Sequence, residues 1–133
     1  MNIPVYRGTN RKAAKSLIMA KQEITAGWSI VIFPEGGIPA QENPKMLNFM
    51  NGAFQLAKTM NVPIVPLTNL NNHRLFSDPT KILGLASPGI SKVVIHPAIG
   101  VEEISKLTQE ELKVKCFEIV KAPLKSRYPE LID

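Results

Sequence analysis

Cysteine is nearly missing from this 133-residue sequence, where Cys116 stands alone. One thiol excludes an intrachain disulfide framework and any metal site built only of cysteines. Its place in a helical pattern makes it a core residue of a reducing compartment. No apolar run approaches the ~18 residues needed to span a bilayer. The first twelve residues lack the apolar segment of a signal peptide. The expected location is therefore the cytoplasm. Internal repeats, low-complexity tracts and linkers are absent as well, so nothing marks a second domain. A cluster of basic residues with interleaved aromatics is also lacking; Lys and Arg are spread from Arg7 to Arg127. That excludes nucleic acid as the expected partner.

What is present is an ordinary globular mixture, 44% hydrophobic and 20% charged. Sixteen Lys and Arg against eleven Asp and Glu leave a net charge of +5, compatible with an anionic lipid or phosphate partner. At roughly 100–200 residues per domain, residues 1–133 read as a single domain.

Proline punctuates the chain clearly, at 11 positions. Asn2–Tyr6 reads as a short strand. Arg11–Ala26 reads as a helix, with Asn10 to cap it and Gly27 to stop it. Trp28-Ser-Ile-Val-Ile-Phe33 is a short β-branched run ended by Pro34, suited to a strand buried on both faces. Residues 34–44 form a loop. Lys45–Met60 returns to helical spacing, with Gly52 inside it either weakening the helix or marking a close contact. Val62-Pro-Ile-Val-Pro-Leu67 is a second strand, its prolines pointing to an edge or a strand end. A polar loop spans 69–79, a short strand 81–85 and a turn 87–89. Lys92-Val-Val-Ile-His96 is a further strand. Thr108-Gln-Glu-Glu111 is a capping box opening a helix that carries Leu112, Cys116, Ile119 and Val120. The order β-α-β-α-β-(β)-β-α predicts an α/β fold, a mostly parallel sheet flanked by helices.

In such sheets ligands bind beyond the carboxyl ends of the strands. The loop after Phe33 lies at such an end and reads Phe33-Pro-Glu-Gly-Gly37. Pro34 fixes a backbone angle, while Gly36 and Gly37 permit positive φ and close approach to a ligand. Backbone N–H groups of a Gly-rich turn can cradle an anion or a hydroxyl. On composition alone the same residues also describe a plain turn with a solvated Glu35.

Phe33-Pro-Glu-Gly36 resembles the third conserved block of the glycerolipid acyltransferases, the lysophosphatidic acid (1-acyl-sn-glycerol-3-phosphate) acyltransferase family. Val5-Tyr-Arg7 followed by Arg11 looks like the family's second block. Asn51-Gly-Ala-Phe-Gln-Leu-Ala57 resembles its helix after the loop, and Val62–Leu67 its fourth block. The closing strand and Pro97-Ala-Ile-Gly100 agree too, and the resemblance covers nearly the whole chain. It implies a glycerolipid acyltransferase-like fold. It also implies transfer of an acyl group from acyl-CoA or acyl-carrier protein to lysophosphatidic acid or a related glycerolipid, with no other cofactor and no metal. The membrane partner is then the cytoplasmic face of a bilayer.

By the same resemblance, Arg7 holds the acceptor's phosphate and Glu35, Gly36 and Gly37 its glycerol and phosphate end. A guanidinium is the natural partner of a phosphate. The family's general base is the His of a His-x4-Asp helix that precedes these blocks. No His stands before Arg7, so the expected domain is N-terminally incomplete, no catalytic residue is assigned, and this chain alone is expected to be inactive. His73 and Asp78 have the right spacing but follow the fourth block within a polar loop, and are set aside. His96, before Pro97, reads as structural. An incomplete sheet leaves an exposed edge, from which self-association is expected. The alternative function is a non-catalytic phosphate- or lipid-binding module.

Overall fold

The computed structural model describes residues 3, 10–37, 46–75 and 87–129. The expected strands at 2–6 and 81–85 lie outside the described residues, apart from Ile3, which is in no strand. Helix α1 runs Asn10–Thr25, close to the expected span. Its end is set by Gly27, whose φ is +89°. The Trp28 N–H reaches back to the Glu23 carbonyl at 3.0 Å and the Gly27 N–H to the Ile24 carbonyl at 3.0 Å. This pair of bonds satisfies the carbonyls that a helix end leaves open, and the left-handed residue between them is best filled by glycine.

Helix α2 covers Gly52–Met60, starting seven residues later than the helical spacing from Lys45 predicts. The Leu47 N–H donates to the Glu35 carboxylate and the Met50 N–H to the Pro34 carbonyl. Both donors are committed to the preceding loop, so the helix starts after them. Gly52 then opens the helix, and a Cβ there would lie 3.7 Å from Leu17 of α1, an ordinary van der Waals distance that does not demand a glycine. Asn61 ends α2 in the left-handed region at φ 54°, a conformation Asn tolerates better than most residues.

Strand β1 is Leu67–Asn69 and strand β2 is Val93–Ile95. They pair antiparallel with Leu67 opposite Ile95 and Asn69 opposite Val93. An isolated antiparallel bridge joins Ile64 to Ile99. Among the described residues this is the whole sheet, and it does not show the mostly parallel one expected. Parallel neighbours need a crossover of a dozen or more residues, usually helical. Between β1 and β2 the helix described is α3, Asn72–Leu75, a single turn. Pro63 and Pro66 explain why pairing is broken across the expected strand 62–67, since proline has no N–H to give a ladder. Trp28–Phe33, expected as a buried strand, has no ladder partner among the described residues.

Helix α4, Val101–Lys106, follows Gly100 and was not foreseen. Helix α5, Gln109–Arg127, opens on the capping box as expected. The core gathers where α2, α4 and α5 meet: Phe49, Phe54, Ile99, Ile104, Leu112 and Cys116. Lys58 of α2 donates to the carbonyls of Ile104 and Leu107, closing the C-terminal end of α4, where a cation is favoured. Helix α5 covers one face of the β1–β2 pair through the fully buried Thr68. Leu67, Val93 and Ile95 on the other face are exposed.

Candidate functional site

The Phe33–Gly37 loop is built as a tethered turn. The Gly36 N–H donates to the Phe33 carbonyl at 3.3 Å, which places Pro34 and Glu35 at the corner. Gly36 takes φ +66°, open to glycine at no steric cost. A Cβ on Gly36 would also stand 2.6 Å from the Met50 sulfur. Two bonds then fasten the turn to the segment entering α2: Met50 N–H to Pro34 carbonyl at 2.8 Å, and Leu47 N–H to Glu35 Oε2 at 2.8 Å. Gly37 differs from Gly36, since nothing lies within 4 Å of where its Cβ would be. One side of the loop is thus packed on Met50, while at the part-buried Gly37 no described atom stands in the way of a Cβ.

Glu35 is half-buried and one carboxylate oxygen is held by Leu47. Among the described residues no hydrogen bond engages the other oxygen. A carboxylate so placed can accept from a hydroxyl, as a glycerol would require. The residues expected to share the site are not all within view. Glu35, Gly36 and Gly37 are brought together; Arg7 and Asp78 lie outside the described residues.

The two histidines are occupied elsewhere. His73 lies on α3, exposed, with its ring edge-on to Tyr128 at 5.2 Å between centroids. His96 Nε2 is 2.8 Å from the hydroxyl of Thr68. Among the described residues, no contact joins either ring to the Glu35 loop. Cys116 is buried, and desolvation pushes its thiol up to about 11, so it is a neutral core group and a poor nucleophile at physiological pH. The described residues hold no cluster of metal-ligating side chains. None of their helices is long and apolar enough to cross a membrane.

Sequence reasoning missed the contribution of Met46–Met50. The signal was there in part: these residues carry helical spacing but precede Gly52. The hydrogen bonds to Glu35 and Pro34 had no counterpart in residue spacing.

Residues 1–69 match the family model for acyltransferases. The chain is similar to a chloroplastic 1-acyl-sn-glycerol-3-phosphate acyltransferase of Brassica napus, with 29% identity over 97 residues, covering 73% of this chain and 27% of that protein. It is similar also to the Caenorhabditis elegans protein acl-1, named for the same activity, with 29% identity over 122 residues, covering 91% of this chain and 44% of that one. The crystal structure of the acyltransferase PlsC from Thermotoga maritima superposes with a TM-score of 0.71 at 24% identity, covering 87% of this chain and 45% of that one. The likeness to PlsC bears out the glycerolipid acyltransferase-like fold. The chain spans between about a quarter and under a half of the length of these relatives.

Proposed function

The chain belongs to the acyltransferase family, and from that premise we propose that it forms the acceptor-binding part of an enzyme of glycerolipid synthesis. The reaction moves an acyl group from a thioester, on coenzyme A or acyl-carrier protein, to a hydroxyl of lysophosphatidic acid or a related glycerolipid. The observation that carries this reading is the tethered Phe33–Gly37 turn. Its Glu35 is fixed by Leu47 through one oxygen, the other has no hydrogen bond among the described residues, and its Gly36 packs against Met50.

Chemistry divides the work. The acceptor's hydroxyl attacks the thioester carbonyl, the carbon–sulfur bond breaks, and the thiol leaves with the proton. An alcohol needs a base for that proton in the transition state. His73 and His96 contact Tyr128 and Thr68, not the loop, so this chain by itself is expected to bind acceptor without turning it over. Arg7 is proposed to hold the acceptor's phosphate, with Glu35, Gly36 and Gly37 holding its glycerol and phosphate end. The other partners on this reading are the acyl thioester, the cytoplasmic face of a membrane, and a second copy of the chain.

The test is titration calorimetry of the chain with lysophosphatidic acid beside an acyl-transfer assay. Saturable binding weakened by Arg7→Ala or Glu35→Ala, without turnover, supports the proposal. Absence of binding would sink it. Turnover abolished by His73→Ala would reinstate His73 and Asp78 as the catalytic pair. A binding module with no catalytic role is the competing reading. It is favoured if binding persists unchanged when the chain is joined to the upstream part of its own coding sequence and still no acyl transfer occurs.

A further inference from the structure

We propose that Phe117 of α5 is a positioning residue for the acceptor site, holding Glu35 in place through Phe49. The inference rests on the reading of Glu35 as an acceptor contact, and deepens it by naming what keeps the carboxylate where it is. Phe117 lies outside residues 1–69, the part of the chain that matches the acyltransferase family.

Residues 46–50 belong to no helix or strand, so no regular ladder of backbone bonds holds them. Two of their N–H groups serve the turn instead: Leu47 donates to Glu35 Oε2 and Met50 to the Pro34 carbonyl, each at 2.8 Å. Between those two residues stands Phe49, which is 7% exposed, whereas Leu47 is half-buried and Met50 exposed. Met46 packs on the same core but is only partly buried. Phe49 is thus the main anchor of the stretch that carries both donors.

Two rings meet Phe49. Phe54 of α2 stacks with it at 6.2 Å between centroids and 17° between planes. Phe117 meets it edge-on, at 5.1 Å and 80°. Phe54 is a near neighbour in sequence and fixes Phe49 only locally. Phe117 comes from α5, and an edge-to-face pair is directional, because the positive rim of one ring faces the negative face of the other. Lys121 Nζ stands over the Phe117 ring at 5.9 Å, a further attraction that steadies it. A ring held in this way sets where Phe49 sits, and Phe49 sets where the N–H groups on either side of it point. Hydrogen bonds weaken steeply as their angle closes, so a small tilt of the stretch releases Glu35 from Leu47. Helix α5 therefore reaches the acceptor site through two rings and a backbone amide.

The 133-residue chain is followed by amide hydrogen exchange and by calorimetric titration with lysophosphatidic acid. Phe117→Leu removes the ring and keeps an apolar side chain. The Leu47 and Met50 amides should then exchange several-fold faster, and lysophosphatidic acid should bind about two- to tenfold more weakly, the range an aromatic pair supplies. Phe117→Tyr keeps the ring and should restore both. Leu75→Ala is the control, because Leu75 is buried on α3. It should lower the melting temperature and leave those two amides and the affinity unchanged. Unaltered exchange at Leu47 and Met50 in Phe117→Leu overturns the proposal, as does equal acceleration in Leu75→Ala. Phe117→Met, nearer in volume, decides the matter if Phe117→Leu does not fold. Glu35→Ala separates the proposal from the reading beneath it. If that variant binds lysophosphatidic acid as the wild type does, the acceptor reading fails and the proposal falls with it. If it binds weakly while Phe117→Leu binds normally, the reading stands and the proposal alone is overturned.

Discussion

The hydroxyl of Thr68 donates to the Val120 carbonyl at 3.0 Å and lies 2.8 Å from His96 Nε2. A hydroxyl has one proton to give, so His96 must be the donor in the second contact. That contact then places a proton on Nε2. This gives a donor role to a side chain that reads from sequence as merely structural, and joins β1, the end of β2 and α5 at one fully buried threonine.

Thr68→Val should therefore be costly despite its near-equal volume. It leaves the Val120 carbonyl and the His96 N–H without their buried partner, a loss of about 1–3 kcal/mol. Urea denaturation checks the size, and nitrogen chemical shifts of the imidazole check the tautomer. A neutral His96 protonated on Nδ1 in the wild type would contradict the assignment.

Gly36→Ala should destabilise by two separable causes. The φ of +66° costs an L-residue about 1–2 kcal/mol, and the new methyl meets the Met50 sulfur. Met50→Ala in the same chain removes the second cause and leaves the first. Thermal melts of the two single variants and the double variant should show partial rescue. Full rescue would mean that backbone strain contributes nothing.

Glu35→Ala should loosen the loop and weaken acceptor binding together, because the same carboxylate holds Leu47. Losing a bond to a charged group costs about 1.5–3 kcal/mol. Glu35→Gln keeps an oxygen that can accept from Leu47, so stability should be largely retained. Melting temperature and calorimetric affinity, measured on both variants, separate the tether from the ligand contact.

Burial raises the Cys116 thiol from an ordinary 9.0 to about 11. The folded chain thus keeps its proton where the unfolded chain loses it. The stabilisation is complete below pH 9, and is lost as pH rises toward 11. Stability should fall across that window, less steeply in Cys116→Ala than in the wild type. Native thiol labelling near neutral pH should be slow until the chain unfolds.

The capping box acts at the opposite end of the scale. Hydrogen bonds from the Thr108 backbone and hydroxyl hold the Glu111 carboxyl below its ordinary 4.5. Its contribution is present above that value and fades as pH drops through the lowered one. Glu111→Gln should flatten the acid limb of the stability curve, read by circular dichroism, with little change near neutrality.

Capping and termination signals were legible along the chain because they are local. Thr108 and Glu111 sit three residues apart on either side of a helix start, and Gly27 acts on the carbonyls just behind it. The antiparallel pairing of Leu67 with Ile95 was not legible, because residue spacing says nothing about which strands meet or in which direction. Nor was helix α4, a six-residue element that opens at Gly100 without a side-chain cap. At the site, Glu35 and Gly36 could be picked out from the Pro-Glu-Gly pattern. Their dependence on Leu47 and Met50 is a tertiary fact, made by chain twelve and fourteen residues away.

That dependence has a consequence for how the loop tolerates change. Glu35 and Leu47 act as two posts, and the residues between them can vary in number without moving either. Each doubling of such a stretch costs only about 0.6 kcal/mol in closure entropy. Insertions or deletions between residues 38 and 45 should therefore cost little, while the Gly36 turn keeps its shape.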